Sequence, residues 1–277
     1  MSAATTWEAV FARIRDRPPP KTYGIAFTPR SGSTWITDIV GRTKLLGHPG
    51  EYFNINAARP SIHHAACTTM EDYFQWLCRA RSSNGVFGFE ISAPWLELLR
   101  QEEKLDVLGD VDLWFFLRRR DFVLQAVSLY LASSSGVFHL RDESGRGPAQ
   151  SRVSGDVSYD AEAIFERALH IMHGEFLLAR YFRERSMEPE LLWYEDLIAA
   201  GPQAFLRALA ASLGVELAPR DEQCIDAIAP AMKKSGGERN REYAERFRAE
   251  YPAFVAHWVQ YRGRMGAAAY RAQLRSD

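Results

Sequence analysis

Residues 23–40 read YGIAFTPRSGSTWITDIV, a pattern that predicts a strand, a tight loop and a helix in that order. The apolar run at 23–27 is typical of a buried strand, and residues 34–40 form the first turns of the helix. Unpaired backbone N–H groups and the helix dipole make such a helix start a favourable place for phosphate. The segment also supplies a flexible glycine, a basic side chain and three hydroxyl donors: Gly32, Arg30, Ser31, Ser33 and Thr34. The sequence therefore predicts an anion site here.

This loop differs from the phosphate loop of ATP and GTP hydrolases. It lacks the GxxxxGK[ST] pattern, and Arg30 takes the basic position in place of the usual lysine. A simpler interpretation stays open at this point. The Ser-Gly-Ser segment could be an ordinary turn in which Ser33 or Thr34 caps the helix.

The rest of the chain alternates short apolar runs with longer helical patterns. This alternation is typical of βαβ units, so we predict an α/β fold: a single domain, 1–277, with a central parallel sheet flanked by helices. Further strands are predicted at 86–91, 113–117 and 191–194. Helices are predicted at 34–46, 122–132, 161–182, 202–213 and 243–261. In the third helix, an apolar stripe is expected to face inward: Ile164, Ala168, Ile171 and Phe176.

Composition restricts the possible partners. The 277 residues carry a formal net charge of −1, so neither nucleic acid nor an anionic membrane surface is expected as the main partner. Cys67, Cys78 and Cys224 follow no metal-ligand spacing and cannot all pair within one chain, which favours a reducing compartment. Residues 1–20 have no long apolar core and are predicted to be a helical or flexible extension. We therefore expect a cytoplasmic location without integral membrane association.

The segment Pro29-Arg30-Ser31-Gly32-Ser33-Thr34-Trp35 resembles the 5′-phosphosulfate loop of sulfotransferases that use 3′-phosphoadenosine 5′-phosphosulfate (PAPS). The bacterial trehalose 2-sulfotransferase-like branch is the most similar. The resemblance implies a P-loop-like sulfotransferase fold and a loop that holds the 5′-phosphate of the donor. It implies that Arg30 touches the bridging oxygen and that Trp35 stacks on adenine. The implied donor-binding residues here are Arg30, Ser31, Gly32, Ser33, Thr34 and Trp35.

A second motif follows the predicted strand at 113–117. Arg120 at the strand end and Ser128 eight positions later match the 3′-phosphate motif of the same family. Ligands of open α/β sheets bind outside the carboxyl ends of the strands, which suits an arginine at this place. Arg118 and Arg119 are expected to face solvent.

Two further segments resemble parts of the same superfamily. Tyr194, in Tyr194-Glu195-Asp196-Leu197, could border the adenine, and its neighbouring carboxylates are expected to orient loops or cap the next helix. Lys233 and Lys234 loosely match a basic loop over the donor.

The general base is expected to be a carboxylate or a histidine. Glu51, in Gly47-His48-Pro49-Gly50-Glu51, matches the glutamate regarded as the base in the trehalose branch, and His48 is the alternative. Glu90 stands where that branch commonly has a lysine, and an acidic side chain favours a neutral or cationic acceptor. Three histidines in long loops could touch an acceptor: His63, His64 and His139.

The resemblance implies transfer of a sulfuryl group from PAPS to a hydroxyl, with PAP as product and no metal. The acceptor could be a carbohydrate, a glycolipid or a small natural product, and the loop at 133–158 is expected on the acceptor side. A homodimer is an expectation by resemblance. Two alternatives stay open: a P-loop small-molecule kinase, although the Walker-type lysine is missing, and a catalytically silent PAP- or carbohydrate-binding module.

Overall fold

The computed structural model describes residues 20–56, 67–108, 111–136, 157–229 and 237–264. Its strands form one parallel sheet, and the predicted α/β class is confirmed. The strand order is β2-β1-β3-β4, with β1 (Lys21–Phe27), β2 (Val86–Ser92), β3 (Leu113–Arg118) and β4 (Glu190–Trp193). Each strand predicted from the sequence is present, and no end differs from the prediction by more than two residues.

Ten α-helices lie in the described ranges. They are α1 (Ser33–Thr43), α2 (Met70–Ala80), α3 (Ala93–Gln101), α4 (Phe122–Ser135), α5 (Ala161–Glu184), α6 (Tyr194–Ala200), α7 (Pro202–Ser212), α8 (Pro219–Asp226), α9 (Glu238–Glu250) and α10 (Pro252–Arg264). The sequence reading missed four short helices, α2, α3, α6 and α8. One of them had a readable start signal, because Thr69 caps α2 by accepting a hydrogen bond from the backbone N–H of Asp72.

The prediction of one helix over 243–261 is wrong. The chain leaves the helical conformation at Tyr251, whose φ and ψ are −125° and 50°, and Pro252 starts α10. Proline has no N–H to donate and restricts the residue before it, so it begins a helix more readily than it continues one.

The predicted apolar stripe of α5 is correct for three of its four members. Ile164, Ala168 and Ile171 are fully buried, but Phe176 is 41% exposed. The spacing of 3.6 residues per turn carries the buried face from Ile171 to Glu175, which is fully buried. A carboxylate therefore occupies a core position where the sequence pattern predicted an aromatic ring.

The chain divides into two compact units, each built from three segments. Unit 1 comprises Met1–Ala26, Ile36–Phe115 and Ala200–Ala229, and unit 2 comprises Phe27–Trp35, Phe116–Ala199 and Pro230–Asp277. In unit 1, Phe89 lies edge-on to Phe53 and to Trp114, with ring centroids 5.4 Å apart in each pair. In unit 2, α4, α5, α9 and α10 share one apolar core. The single domain over 1–277 stays a prediction.

Several predicted features fall wholly or partly outside the described residues: the extension at 1–20, much of the loop at 133–158, and His63, His64, His139, Lys233 and Lys234. Residues 133–135 belong to α4, so that loop begins later than expected. Within the described ranges, no helix is both long and apolar enough to cross a membrane.

Candidate functional site

The predicted anion loop lies in unit 2, between the last residue of β1 and the start of α1. Two of its residues have left-handed backbone conformations, Arg30 with φ 64° and Gly32 with φ 103°. The turn is closed by hydrogen bonds from the Ser31 N–H to the Thr28 carbonyl (3.2 Å) and from the Trp35 N–H to the Gly32 carbonyl (3.0 Å). A non-glycine residue with positive φ is uncommon, so the loop holds Arg30 in a strained conformation of the kind that clusters at functional sites.

Gly32 is required at its position for two reasons. Its φ is one that side chains rarely allow, and a Cβ there would lie 2.2 Å from Cδ2 of Tyr194. The Tyr194 ring therefore packs directly on the loop backbone. This contact joins two segments that were singled out in the sequence, the anion loop and Tyr194-Glu195-Asp196-Leu197.

The first turns of α4 hold the loop through two side chains. Gln125 donates to the Thr28 hydroxyl (3.0 Å) and to the Pro29 carbonyl (2.8 Å). Arg30 donates from Nε to the hydroxyl of Ser128 at 3.0 Å. The sequence reading named Arg30 and Ser128 but did not place them in contact, and it missed Gln125. The available signals for Gln125 were its place three residues before Ser128 and its amide among mostly apolar residues.

The prediction that Arg118 and Arg119 face solvent is wrong. Arg118 is fully buried, and the Arg119 side chain is only 18% exposed. Arg119 donates from Nη1 to the carbonyl of Arg30 at 3.3 Å, and its guanidinium lies 4.8 Å from the centroid of the Tyr194 ring. Burial, and secondarily the charge of Arg119, lowers the pKa of Arg30. Two cationic groups thus share one small region.

A cavity of about 430 Å³ opens within unit 2 beside these groups. Its size is in the range of sites for small ligands. Two of the predicted residues line it, Ser128 and Tyr194. The sequence reading missed three other polar residues of its wall: Arg119, Asn240 and Arg241.

The two carboxylates of the cavity wall, Asp121 and Glu195, both have partners. Asp121 caps α4 at the N–H of Leu124 (2.9 Å) and pairs with Arg248 at 2.6 Å. Glu195 accepts from the N–H of Arg120 at 2.9 Å, which fits its expected role in orienting a loop. Oε1 of Glu195 also lies 3.9 Å from Nε of Arg119, so one acid of the wall pairs with one of its arginines, and Arg241 adds a second positive charge.

Arg120 does not line the cavity. Its side chain is 51% exposed and donates to both carboxylate oxygens of Asp196, at 2.5 and 2.7 Å. The guanidinium lies 5.1 Å from the Trp193 ring centroid. The assignment of Arg120 to a phosphate therefore stays a prediction.

The remaining residues of the loop differ in accessibility. Ser31 and Ser33 are buried, Thr34 is half-buried, and Trp35 is 7% exposed, so little of its ring is free to stack on a base in this conformation. The Ser31 hydroxyl has no hydrogen-bond partner among the described residues. A buried hydroxyl without a partner is costly, and a bound anion at the loop would satisfy it.

Glu51 and His48 lie in unit 1, in the turn that follows α1. The Tyr52 hydroxyl donates to the His48 carbonyl, and the Asn54 side chain donates from Nδ2 to Oε2 of Glu51 at 3.0 Å. Glu51 is half-buried, and Asn54 orients its carboxylate. The sequence reading missed Asn54.

Glu90, also in unit 1, is 6% exposed. Its N–H donates to the Gly50 carbonyl at 3.0 Å. This backbone hydrogen bond therefore joins Glu90, the residue with the acidic side chain, to the turn just before Glu51. Within the described ranges, no group of three or more His, Cys, Asp or Glu side chains is arranged to hold a metal ion.

Comparisons with known proteins agree with the sequence resemblance. The trehalose 2-sulfotransferases of Mycolicibacterium smegmatis and Mycobacterium tuberculosis are each 23% identical to the chain, over 83% and 84% of it and 96% of each relative. The crystal structure of sulfotransferase STF9 from Mycobacterium avium matches the fold with a TM-score of 0.50 at 12% identity, over 89% of this chain and 79% of that one. A family model described as Stf0 sulphotransferase matches residues 22–250. The chain therefore belongs to the Stf0 sulphotransferase family.

Proposed function

We propose that this sulfotransferase uses PAPS as its donor and a carbohydrate hydroxyl as its acceptor. The observation that carries the donor assignment is the convergence of Arg30, Ser128 and Arg119 on the anion loop and its cavity. PAPS carries a phosphosulfate at the 5′ position and a phosphate at the 3′ position of its ribose, and arginine suits phosphate through paired N–H donors. A site with several arginines and a helix N-terminus matches that charge pattern.

The described residues fit this donor in three respects. The backbone N–H groups of the loop and the Ser31 hydroxyl can hold the 5′-phosphosulfate, and Ser31 has no competing hydrogen-bond partner among the described residues. Tyr194 lines the cavity next to Gly32, where it can border the base. For the 3′-phosphate, the resemblance favours Arg120 with Ser128, while the cavity wall favours Arg119 with Ser128.

The reaction is an in-line displacement at sulfur. The acceptor oxygen forms a bond to sulfur while the bond from sulfur to the bridging oxygen of the nucleotide breaks, and PAP leaves with the electron pair. Glu51 takes the hydroxyl proton, with its carboxylate oriented by Asn54. Arg30 and the loop N–H groups stabilise the negative charge on the leaving oxygen. Loss of one such donor costs about a hundredfold to a thousandfold in kcat.

The acceptor class rests on two supports. The two similar mycobacterial proteins are named for sulfation of a sugar, trehalose. Glu90 adds a carboxylate near the Glu51 turn, which favours an uncharged polyol over an anionic acceptor. A homodimer and a cytoplasmic location remain predictions from the resemblance and the composition.

The test begins with calorimetric titration of the purified protein with PAP and, separately, with ATP and Mg²⁺. We expect micromolar or tighter binding of PAP and much weaker binding of ATP. Tighter binding of ATP would contradict the proposal and favour the kinase.

Turnover of PAPS is then measured with a panel of neutral sugars for the wild type, Glu51→Gln and His48→Gln. Only Glu51→Gln should lose activity, and binding of PAP without turnover by the wild type would favour a silent module.

A further inference from the structure

A buried network of three charged side chains in unit 2 lies next to the turn that follows β3. Glu175, from α5, accepts hydrogen bonds from Arg118 Nη2 (2.6 Å), Arg262 Nε (3.0 Å) and Arg262 Nη2 (2.6 Å). Arg118 and Glu175 are fully buried, and Arg262 is 6% exposed. Buried ions persist only when they are paired and hydrogen-bonded, so this network is a built feature of the unit.

Arg262 also holds the turn that follows β3. Its Nη2 donates to the carbonyl of Arg119 at 2.5 Å, and its Nη1 donates to the carbonyl of Arg120 at 3.0 Å. These residues lie past the end of β3. On the N–H side of the same turn, Glu195 accepts from the backbone N–H of Arg120 at 2.9 Å. Side chains of two separate elements therefore determine where the turn lies.

The position of this turn matters because the Arg119 side chain starts from it. That side chain lines the cavity, reaches the Arg30 carbonyl and lies over the Tyr194 ring. A shift of the Arg119 backbone would withdraw a positive charge from the cavity wall and release one contact of the anion loop. Catalytic and binding groups need support of this kind, since small displacements weaken charge-assisted hydrogen bonds.

We propose that Arg262 is a positioning residue for the donor site: its guanidinium, oriented by Glu175, holds the Arg119–Arg120 backbone so that the Arg119 side chain stays in the cavity. Arg262 lies beyond residues 22–250, the segment that the family model matches. It uses all three guanidinium nitrogens, on a carboxylate and two carbonyls. Lysine has a single nitrogen and cannot reproduce this set. The inference rests on the proposed donor site.

The experiment compares Arg262→Met, Arg262→Lys, Arg119→Met and the double variant Arg119→Met/Arg262→Lys. Each is checked for folding by circular dichroism and thermal unfolding, and PAP affinity is measured by calorimetry below the unfolding transition. We expect Arg262→Met to raise Kd about tenfold, as for loss of one charge-assisted hydrogen bond. Arg262→Lys should fall between it and the wild type. The double variant should bind PAP about as weakly as Arg119→Met alone, because Arg262 acts through Arg119.

A control separates positioning from general stability. Ile164→Val removes one methyl group from the core of unit 2 and should lower the melting temperature while leaving Kd for PAP unchanged. If Arg262→Met folds and binds PAP like the wild type, or if the effects of Arg119→Met and Arg262→Lys add independently, the positioning role is wrong. If Arg262→Met does not fold, Arg262→Lys decides the question by the same comparison.

Amide hydrogen exchange distinguishes this inference from the proposed function. The N–H of Arg120 is hydrogen-bonded in the wild type and should exchange at least tenfold faster in Arg262→Lys. If the wild type fails to bind PAP, the donor assignment falls, but faster exchange at this amide still supports the positioning of the turn. Unchanged exchange would overturn it.

Discussion

Three consecutive arginines at the end of β3, Arg118, Arg119 and Arg120, have different surroundings. Arg118 is fully buried against Glu175, whereas Arg120 is about half exposed and paired with Asp196, although both pairs have hydrogen bonds of about the same length, 2.6 Å and 2.5 to 2.7 Å. Between them, Arg119 lines the cavity. The comparison shows that contact distance does not reveal the role of an ion pair. The role of an ion pair depends on its burial and on the parts of the structure that its two side chains connect.

The buried pair gives the largest expected effect. Glu175→Gln keeps the size of the side chain but leaves Arg118 and Arg262 without their counter-charge. Arg118 already has two nitrogens, Nε and Nη1, without a hydrogen-bond partner among the described residues. We expect the free energy of unfolding to fall by about 3–5 kcal/mol, as for other buried pairs that lose one partner. Urea denaturation followed by circular dichroism measures it, and an effect no larger than that of an exposed substitution would contradict the argument.

The same pair predicts a pH dependence. Burial is the largest influence on the Glu175 carboxyl and raises its pKa, but the charges and hydrogen bonds of Arg118 and Arg262 together outweigh it and hold the pKa below the ordinary value of 4.5. Because the folded-state pKa is lowered, the stabilisation is fully present above pH 4.5 and is lost as the pH falls from there through the folded-state pKa. The stability difference between the wild type and Glu175→Gln should therefore be constant at pH 6–7 and shrink below pH 4.5. A difference that grows on acidification would show that the sign is wrong.

Arg119 and Arg120 can be compared by their effects on the affinity for PAP. Arg119→Met should weaken PAP binding about tenfold to a hundredfold, since it removes a charged group from the cavity wall. Arg120→Met should have the smaller effect, because its guanidinium is paired with Asp196 outside the wall. Calorimetry with PAP measures both. Arg183→Met, an exposed arginine of α5 that does not line the cavity, is the matched control.

A larger loss in Arg120→Met than in Arg119→Met would restore the assignment made from the sequence spacing. It would mean that Arg120 exchanges Asp196 for a phosphate when the donor binds.

The sequence predicted the parts of this site that depend on local order along the chain. The strand, loop and helix around Arg30 follow from one continuous pattern, and the helix spacing placed Ile164, Ala168 and Ile171 in the core. It placed Arg118 and Arg119 in solvent, which is wrong, because the surroundings of the arginine run come from α5, α6 and α10, which are distant in sequence. Glu175 looked like an ordinary charged residue, since its partners 57 and 87 positions away carry no local signal.

The exposed pair completes the comparison with the smallest effect. Asp196→Asn removes the partner of Arg120, and the hydrogen bond from Arg120 is the main reason that the pKa of Asp196 lies below its ordinary value. Water solvates both groups, and exposed pairs contribute little to stability. We expect no measurable change in the urea midpoint. PAP affinity should also stay within about twofold, unless Arg120 is the phosphate ligand, in which case freeing it from Asp196 should tighten binding. A marked loss of stability would mean that the contact of Arg120 with the Trp193 ring depends on Asp196. The contributions of Arg118 and Arg120 to stability would then differ less than their exposures imply.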